Sequence, residues 1–353
     1  MTAAGSILVS GAGSSIGLEV AKSLRRAGRP ERIVGTEVSW WGDRIALRWC
    51  DDVAIVPRGD DPSFARAFLE VLDRHDVRLA FLSTDVEIEA LAPIRDDVPV
   101  PLSAPGADLL DFCIDKRLLH DRLAGSGLVA DSVTIHGRAD LEHALHDLGD
   151  PVWLRCAVGP RGRGSIPVRT VDAAVSWMEM WDPAEGETWI AHRYLPGRNL
   201  NWTSVWWDGE LVAAALGERL RYFLASVAVS GVTGNASHCR TLPGGEAARV
   251  AEESIRGLGG RPEGIFSVDL KEDAEGRPFV TEINPRTAFR PLLYTQAGFN
   301  VPGVFARVVL DGSLPDAPLH DAAEIGWEMV RNMDVEPLFR HSDDSPADAN
   351  DPR

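Results

Sequence analysis

The chain has 353 residues, room for two or three domains at roughly 150 residues each, and its formal charge of −17 argues against a nucleic-acid-binding face, which would have to be basic. Hydrophobic content of 44% with 25% charged residues fits a globular protein rather than a disordered or fibrous one. Cys50, Cys113, Cys156 and Cys239 stand far apart with no C-x-x-C pair, so neither a zinc site nor a disulfide framework is expected and a reducing, cytoplasmic setting fits best.

In chain order, Ile7-Leu8-Val9 predicts a short apolar strand with no basic residues before it, and no uncharged run approaches a membrane span. The strand enters a glycine turn, Gly11 to Gly17, followed by a helix with Ile16, Val20 and Leu24 on one face. Further strands are expected at Arg32–Thr36, Val53–Val56 and Leu79–Leu82, with a helix over Pro62–Arg74 whose Phe64, Phe68 and Leu72 face inward. Strands alternating with helices imply a parallel, doubly wound sheet over residues 1–105, ended by the Pro-rich break Pro99–Gly106.

Beyond the break, a helix Asp115–Gly125, a strand Trp153-Leu154-Arg155 and a glycine-rich loop Gly159–Gly164 suggest a small unit over 106–190. From about Thr188 longer strands with hairpin turns take over, giving an antiparallel unit over 191–338; Asp208-Gly209 between apolar runs is a strong hairpin signal. Trp202, Trp206 and Trp207 are expected in its core. The polar tail 339–353 is expected to be disordered.

The most informative segments are Phe266-Ser267-Val268-Asp269-Leu270 and Phe279-Val280-Thr281-Glu282-Ile283-Asn284-Pro285-Arg286. As a hairpin they bring Asp269 near Glu282 and Asn284, and the last two, separated by one residue, share a sheet face. Three hard oxygen donors on one face suit Mg²⁺, and Arg286 continues the alternation. The same residues alone would also fit a solvated hairpin edge. Polar groups interrupting apolar strands favour a site.

Glu-Ile-Asn-Pro-Arg, with an Asp thirteen residues upstream, resembles the metal-binding end of the ATP-grasp superfamily, in its carbamoyl-phosphate-synthase-like branch of carboxylate–amine ligases. The resemblance runs from Ile7 to about Leu319. It implies an α/β and α+β molecule with a Rossmann-like N-terminal domain, a lid subdomain and a C-terminal antiparallel sheet. It also implies ATP with Mg²⁺ or Mn²⁺, small-molecule carboxylate and amine substrates, and a possible homodimer.

Asp269, Glu282 and Asn284 would hold the metal, and Lys116, one of only three lysines, would contact the phosphates with Arg155. Gly159, Arg161, Gly162, Arg163 and Gly164 would form the lid. Arg193 and Tyr194 would lie on the adenine-binding hinge, with Asn199 at the ribose; Arg193 and Asn199 stand where the family commonly has Glu. Arg286, Arg219 and Arg221 would face the reacting groups, the last two alternating along one strand and so pointing the same way. His192 and His238 read as ordinary polar residues, and selectivity is expected from loops Ser39–Arg44, Thr84–Glu89 and Ala288–Thr295.

Two other readings compete. Gly11-x-Gly13-x-x-x-Gly17, with Glu37 twenty residues on, could serve an NAD(P)-dependent oxidoreductase. The spacing is looser than the dinucleotide fingerprint, and Tyr194, Tyr222 and Tyr294 are followed four residues later by Arg198, Ser226 and Gly298, never Lys. A non-catalytic binding protein of the same fold is the second alternative, against which the intact Asp269, Glu282 and Asn284 argue.

Overall fold

A computed structural model describes residues 5–159, 164–181, 186, 188–226, 229, 231 and 235–331. The expected lid residues Arg161, Gly162 and Arg163 and the tail 339–353 lie outside the described residues. Among the described residues no helix is long and apolar enough to cross a membrane.

The first sheet is parallel, with β1 (Ser6–Val9), β2 (Arg32–Glu37), β3 (Asp52–Ile55) and β4 (Val77–Phe81) in the order β3-β2-β1-β4. Between and after its strands run α1 (Ser15–Arg26), α2 (Trp40–Ala46), α3 (Phe64–Arg74) and α4 (Asp85–Leu91). The expected inner face of α3 is buried at Phe64, Phe68 and Leu72.

The three segments read as loops contain helices. Ser39 Oγ caps α2 by accepting from Gly42 N–H at 3.3 Å. Thr84 Oγ1 accepts from Glu87 N–H at 3.4 Å and donates to the Glu87 carboxylate at 2.8 Å, a Thr-x-x-Glu arrangement that starts α4. In the third, Pro291 opens a short helix, described below, where its fixed φ costs nothing.

After α5 (Ala107–Ile114) and α6 (Lys116–Leu123) comes an antiparallel sheet of β5 (Ser132–Ile135), β6 (Val152–Cys156), β7 (Ile166–Val168) and β8 (Trp189–Arg193), ordered β5-β8-β6-β7. Helices α7 (Arg138–Asp147) and α8 (Val171–Trp181) pack beside it.

The third sheet holds β9 (Asn199–Trp207), β10 (Glu210–Tyr222), β11 (Ala236–Leu242), β12 (Gly264–Glu272), β13 (Pro278–Asn284) and β14 (Glu328–Val330), all antiparallel, in the order β13-β12-β9-β10-β11-β14. Asp208 and Gly209 both have positive φ, 57° and 83°, as a two-residue hairpin turn needs. The helices α9 (Gly245–Gly257), α10 (Pro291–Gln296) and α11 (Val301–Asp311) complete the unit.

Period-2 alternation gives this sheet two unlike faces. Leu200, Trp202, Leu216, Val268, Leu270 and Val280 point into a core shared with α9 and α6. Trp202 and Trp206 are buried there, and truncating such an aromatic to Ala costs about 3–5 kcal/mol. The opposite face is apolar at one end, where Val205, Ala213 and Ala215 join Ile7, Val9 and Ile33 of the first sheet around Phe289, Phe299 and Phe305. Helix α1 is held against α10 by the buried Arg290–Glu19 pair at 2.8 Å. Towards its other end that face turns polar, with Asn199, Asn201, Arg219, Asp269 and Lys271 in register across β10, β9 and β12.

Candidate active site

The polar end of the third sheet is built around the β12–β13 hairpin. Asp269 lies opposite Glu282 and Ser267 opposite Asn284, so the three expected donors share one face. Thr281 is an extra residue in β13, a bulge that takes its carbonyl out of the ladder. That carbonyl accepts from Arg155 Nη2 at 2.7 Å, which ties the second sheet to the hairpin.

Asp269 Oδ1 accepts from Asn201 Nδ2 at 2.6 Å and from Arg219 Nη2 at 2.7 Å. Glu282 Oε2 lies 3.7 Å from Lys116 Nζ, and its other oxygen accepts from Asn284 Nδ2 at 3.4 Å. Lys116 stands in the first turn of α6, where Asp115 caps the N–H groups of Arg117 and Leu118 at 2.7 and 3.2 Å. Its ammonium also donates to the carbonyl of Gly159 at 3.1 Å, at the mouth of the glycine-rich loop. Gly159 has φ of +115°, a conformation side-chain-bearing residues rarely adopt.

Burial would raise both carboxyls. Lys116 and Arg155, with hydrogen bonds from Asp269 and Asn284, nevertheless hold Glu282 down at about 2. Asp269 stays above the usual carboxylate range, because burial and the Glu282 charge outweigh the pull of Arg219. Two carboxyls that resist joint ionisation are a place where a dication lowers the energy. Among the described residues no three His, Cys, Asp or Glu side chains gather at one point. A Mg²⁺ here would therefore take two carboxylates, the Asn284 amide oxygen and, for the rest, phosphate and water oxygens, which is a donor set it accepts.

Arg219 and Arg221 do not point the same way. A bulge at Leu220 places Arg219 opposite Cys239 and Arg221 opposite its neighbour His238, so the two lie on opposite faces. Arg219 is half-buried, paired with Asp269 and lying over the Phe289 ring, whereas Arg221 is exposed. Arg286 is half-buried and grips Asp85 at the start of α4 with two bonds, Nε at 2.7 Å and Nη2 at 2.8 Å. Burial would lower its pKa, but Asp85 raises it.

The hinge runs between β8 and β9. The Arg193 guanidinium lies 4.9 Å from the Phe279 ring centre, and its backbone N–H is committed to the Asp131 carbonyl at 3.0 Å. Tyr194 sits beside Trp153, with ring centres 6.4 Å apart. Asn199 lies opposite Arg219 on one side and Lys271 on the other. Lys271 donates to the Gly197 carbonyl at 3.0 Å and so fixes the hinge to the hairpin.

Sequence reasoning passed over Asn201, Asp85 and a role for Lys271. The Asn199-Leu200-Asn201 alternation was the available signal for Asn201, and the place of Lys271 two residues after Asp269 was the signal for Lys271. Asp85, 201 residues from Arg286, gave none.

At the glycine turn, Gly13 N–H donates to Glu37 Oε1, and Ser14 and Val38 N–H also point at this carboxylate. A Cβ on Gly17 would lie 2.2 Å from the Gly11 carbonyl oxygen, so that glycine serves turn packing. The N–H groups that a dinucleotide pyrophosphate would need are thus already occupied by an anion of the chain itself, which counts against the oxidoreductase reading.

No family model matches the chain, and no curated protein sequence matches it. Solved structures do. N5-carboxyaminoimidazole synthetase from Staphylococcus aureus complexed with ADP superposes with a TM-score of 0.69 at 15% identity, covering 89% of this chain and 79% of that one. A biotin carboxylase–β,γ-ATP complex from Campylobacter jejuni gives 0.70 at 15% identity, covering 92% and 74%. N5-carboxyaminoimidazole ribonucleotide synthetase from Thermus thermophilus gives 0.67 at 19% identity, covering 92% and 82%. The parallel N-terminal sheet, the small antiparallel sheet and the large antiparallel sheet with its acidic hairpin, in the company of these structures, show that this chain has the ATP-grasp fold.

Proposed function

We propose that the chain is an ATP-dependent carboxylate–amine ligase that forms an amide or peptide-type bond through an acyl phosphate and releases ADP and phosphate. The observation that carries this reading is the Asp269–Glu282 pair across one hairpin, backed by the Lys116 and Arg155 cations. Among the similar solved structures, one is a complex with MgADP and bicarbonate and another a complex with ADP and 5-aminoimidazole ribonucleotide, an acid with a nucleotide and an amine with a nucleotide.

A carboxylate is a poor electrophile, because its charge repels a nucleophile and oxide is a poor leaving group. Attack of one carboxylate oxygen on the γ-phosphorus, with ADP leaving, turns it into an acyl phosphate. The amine then attacks the acyl carbon and loses a proton, and phosphate departs with that carboxylate oxygen. A Mg²⁺ or Mn²⁺ held by Asp269, Glu282 and Asn284 would supply charge neutralisation on the phosphates.

Lys116 and Arg155 supply fixed positive charge beside the transferred group, and being buried they need little reorganisation. Arg219 and Arg286, each ion-paired to an aspartate, would order the hairpin side of the site. The glycine-rich stretch from Gly159 to Gly164 would keep the acyl phosphate from water.

The test is ADP release by purified protein with ATP, Mg²⁺ and a panel of carboxylates and amines. Release that needs both an acid and an amine supports the ligase. Tight ATP binding with no release for any pair would point to a non-catalytic protein of this fold.

A further inference from the structure

Arg155 is buried at 8% exposure and protonated: burial brings its pKa down to about 10, while Glu282 and Asp269 act on it through space to raise it. A buried cation ordinarily sits on a carboxylate, because desolvating an unpaired charge is expensive. Among the described residues no carboxylate pairs with it. Its hydrogen bonds go to uncharged acceptors, Nη2 to the Thr281 carbonyl at 2.7 Å and Nε to His192 Nε2 at 3.0 Å, with His120 Nε2 at 3.5 Å from Nη2.

The imidazoles of His120 and His192 lie against each other, ring centres 4.2 Å apart. Burial and the Arg155 charge lower the pKa of both, His120 to about 3, so both rings are neutral at physiological pH. A neutral ring with an accepting Nε2 carries its proton on Nδ1. His192 can hold Arg155 only in this state, since a protonated ring has no lone pair to offer.

We propose that His192 is a positioning residue that fixes Arg155 through an uncharged acceptor, so that no carboxylate is hydrogen-bonded to the guanidinium and its charge is directed across the site, at Glu282 and at the phosphates of a bound nucleotide. The inference rests on the nucleotide site of the proposed function. A carboxylate at position 192 would satisfy the same hydrogen bond but spend the charge inside the sheet. Arg219 and Arg286 show that alternative, each tied to an aspartate.

The experiment measures ATP and adenosine affinity, with Mg²⁺ present, for wild type, H192Q, H192E and R155Q. Adenosine lacks phosphates and reports the integrity of the base site, so the ratio of the two affinities isolates the phosphate contribution. H192Q and H192E both keep an acceptor, and only H192E adds charge. The ATP-to-adenosine ratio should fall about tenfold or more further in H192E than in H192Q, the size of one charge-assisted contact, and R155Q should match H192E.

Equal ratios for H192Q and H192E, or a wild-type ratio in R155Q, overturn the inference while leaving ATP binding intact. A wild-type protein that does not prefer ATP to adenosine overturns the nucleotide reading and this inference with it. If H192E does not fold, H192Q and R155Q decide together: a reduced ratio in R155Q with a clearly higher one in H192Q, which keeps an uncharged acceptor, supports the inference, and a wild-type ratio in R155Q or an H192Q ratio as low as that of R155Q refutes it.

Discussion

The two walls of the site use arginine in opposite ways. On the third sheet and its following turn, the half-buried Arg219 and Arg286 are paired with Asp269 and Asp85, so their charge is spent within the protein. On the second sheet, Arg155 is more deeply buried, yet its hydrogen bonds end on a carbonyl and a neutral imidazole. The difference teaches that burial alone does not say what a cation is for. A paired arginine mainly orders its surroundings, whereas one held by neutral acceptors keeps its field for something else, here Glu282 and whatever anion approaches it.

The sharpest way to break this contrast is at the carboxylate both walls converge on. In Glu282→Ala, ATP turnover should fall by at least about a hundredfold, because the Lys116 and Arg155 charges lose their acidic counterpart and the metal donor set loses a carboxylate. Full ADP release by this variant would remove the hairpin from the mechanism.

Arg219→Ala addresses the paired wall. It strands Asp269, one oxygen of which accepts from Arg219, and should cost about 3 kcal/mol in urea unfolding at neutral pH, as for other broken buried pairs. A loss below about 1 kcal/mol would mean that Asp269 does not depend on this partner.

The neutral-acceptor wall should reveal itself in acid. His120 has a folded pKa of about 3 against about 6.5 unfolded, so as pH falls below 6.5 the unfolded chain takes up a proton that the folded one refuses. Stability is therefore full above that value and declines below it, by about 2 kcal/mol at pH 5 for His120, with His192 adding in the same direction. His120→Gln should flatten the decline between pH 7.5 and 5, and an unchanged slope would refute the buried neutral pair. The smallest effect belongs to Arg221→Ala. Its side chain is exposed on the opposite face from Arg219, so stability should change by less than about 0.5 kcal/mol and ADP release hardly at all.

What could be read in the sequence follows from distance along the chain. The acidic hairpin was legible because its register is local and strand alternation puts Glu282 and Asn284 on one face with no further information. The parallel sheet was legible from the same kind of local pattern, in runs such as Ile7–Val9 and Leu79–Leu82. The directions of Arg219 and Arg221 were not, because the bulge at Leu220 reverses the alternation and leaves no mark in residue type.

Helices α2 and α4 were missed because each has only two turns, too few for hydrophobic periodicity, although Ser39 and Thr84 carried the cap signal. The role of His192 was hidden for a different reason. Its neighbours in sequence are apolar or basic, and its partner Arg155 comes from 37 residues away.

The most direct test of the ligase account follows an oxygen atom. Once the ADP-release panel identifies a carboxylate, that substrate is supplied labelled with ¹⁸O, and the products are analysed by mass spectrometry. The account predicts one label in inorganic phosphate for each turnover, with ADP as the nucleotide product, because the carboxylate oxygen that attacks phosphorus leaves with it. Label in AMP, with pyrophosphate released, would show adenylation and contradict the acyl-phosphate mechanism.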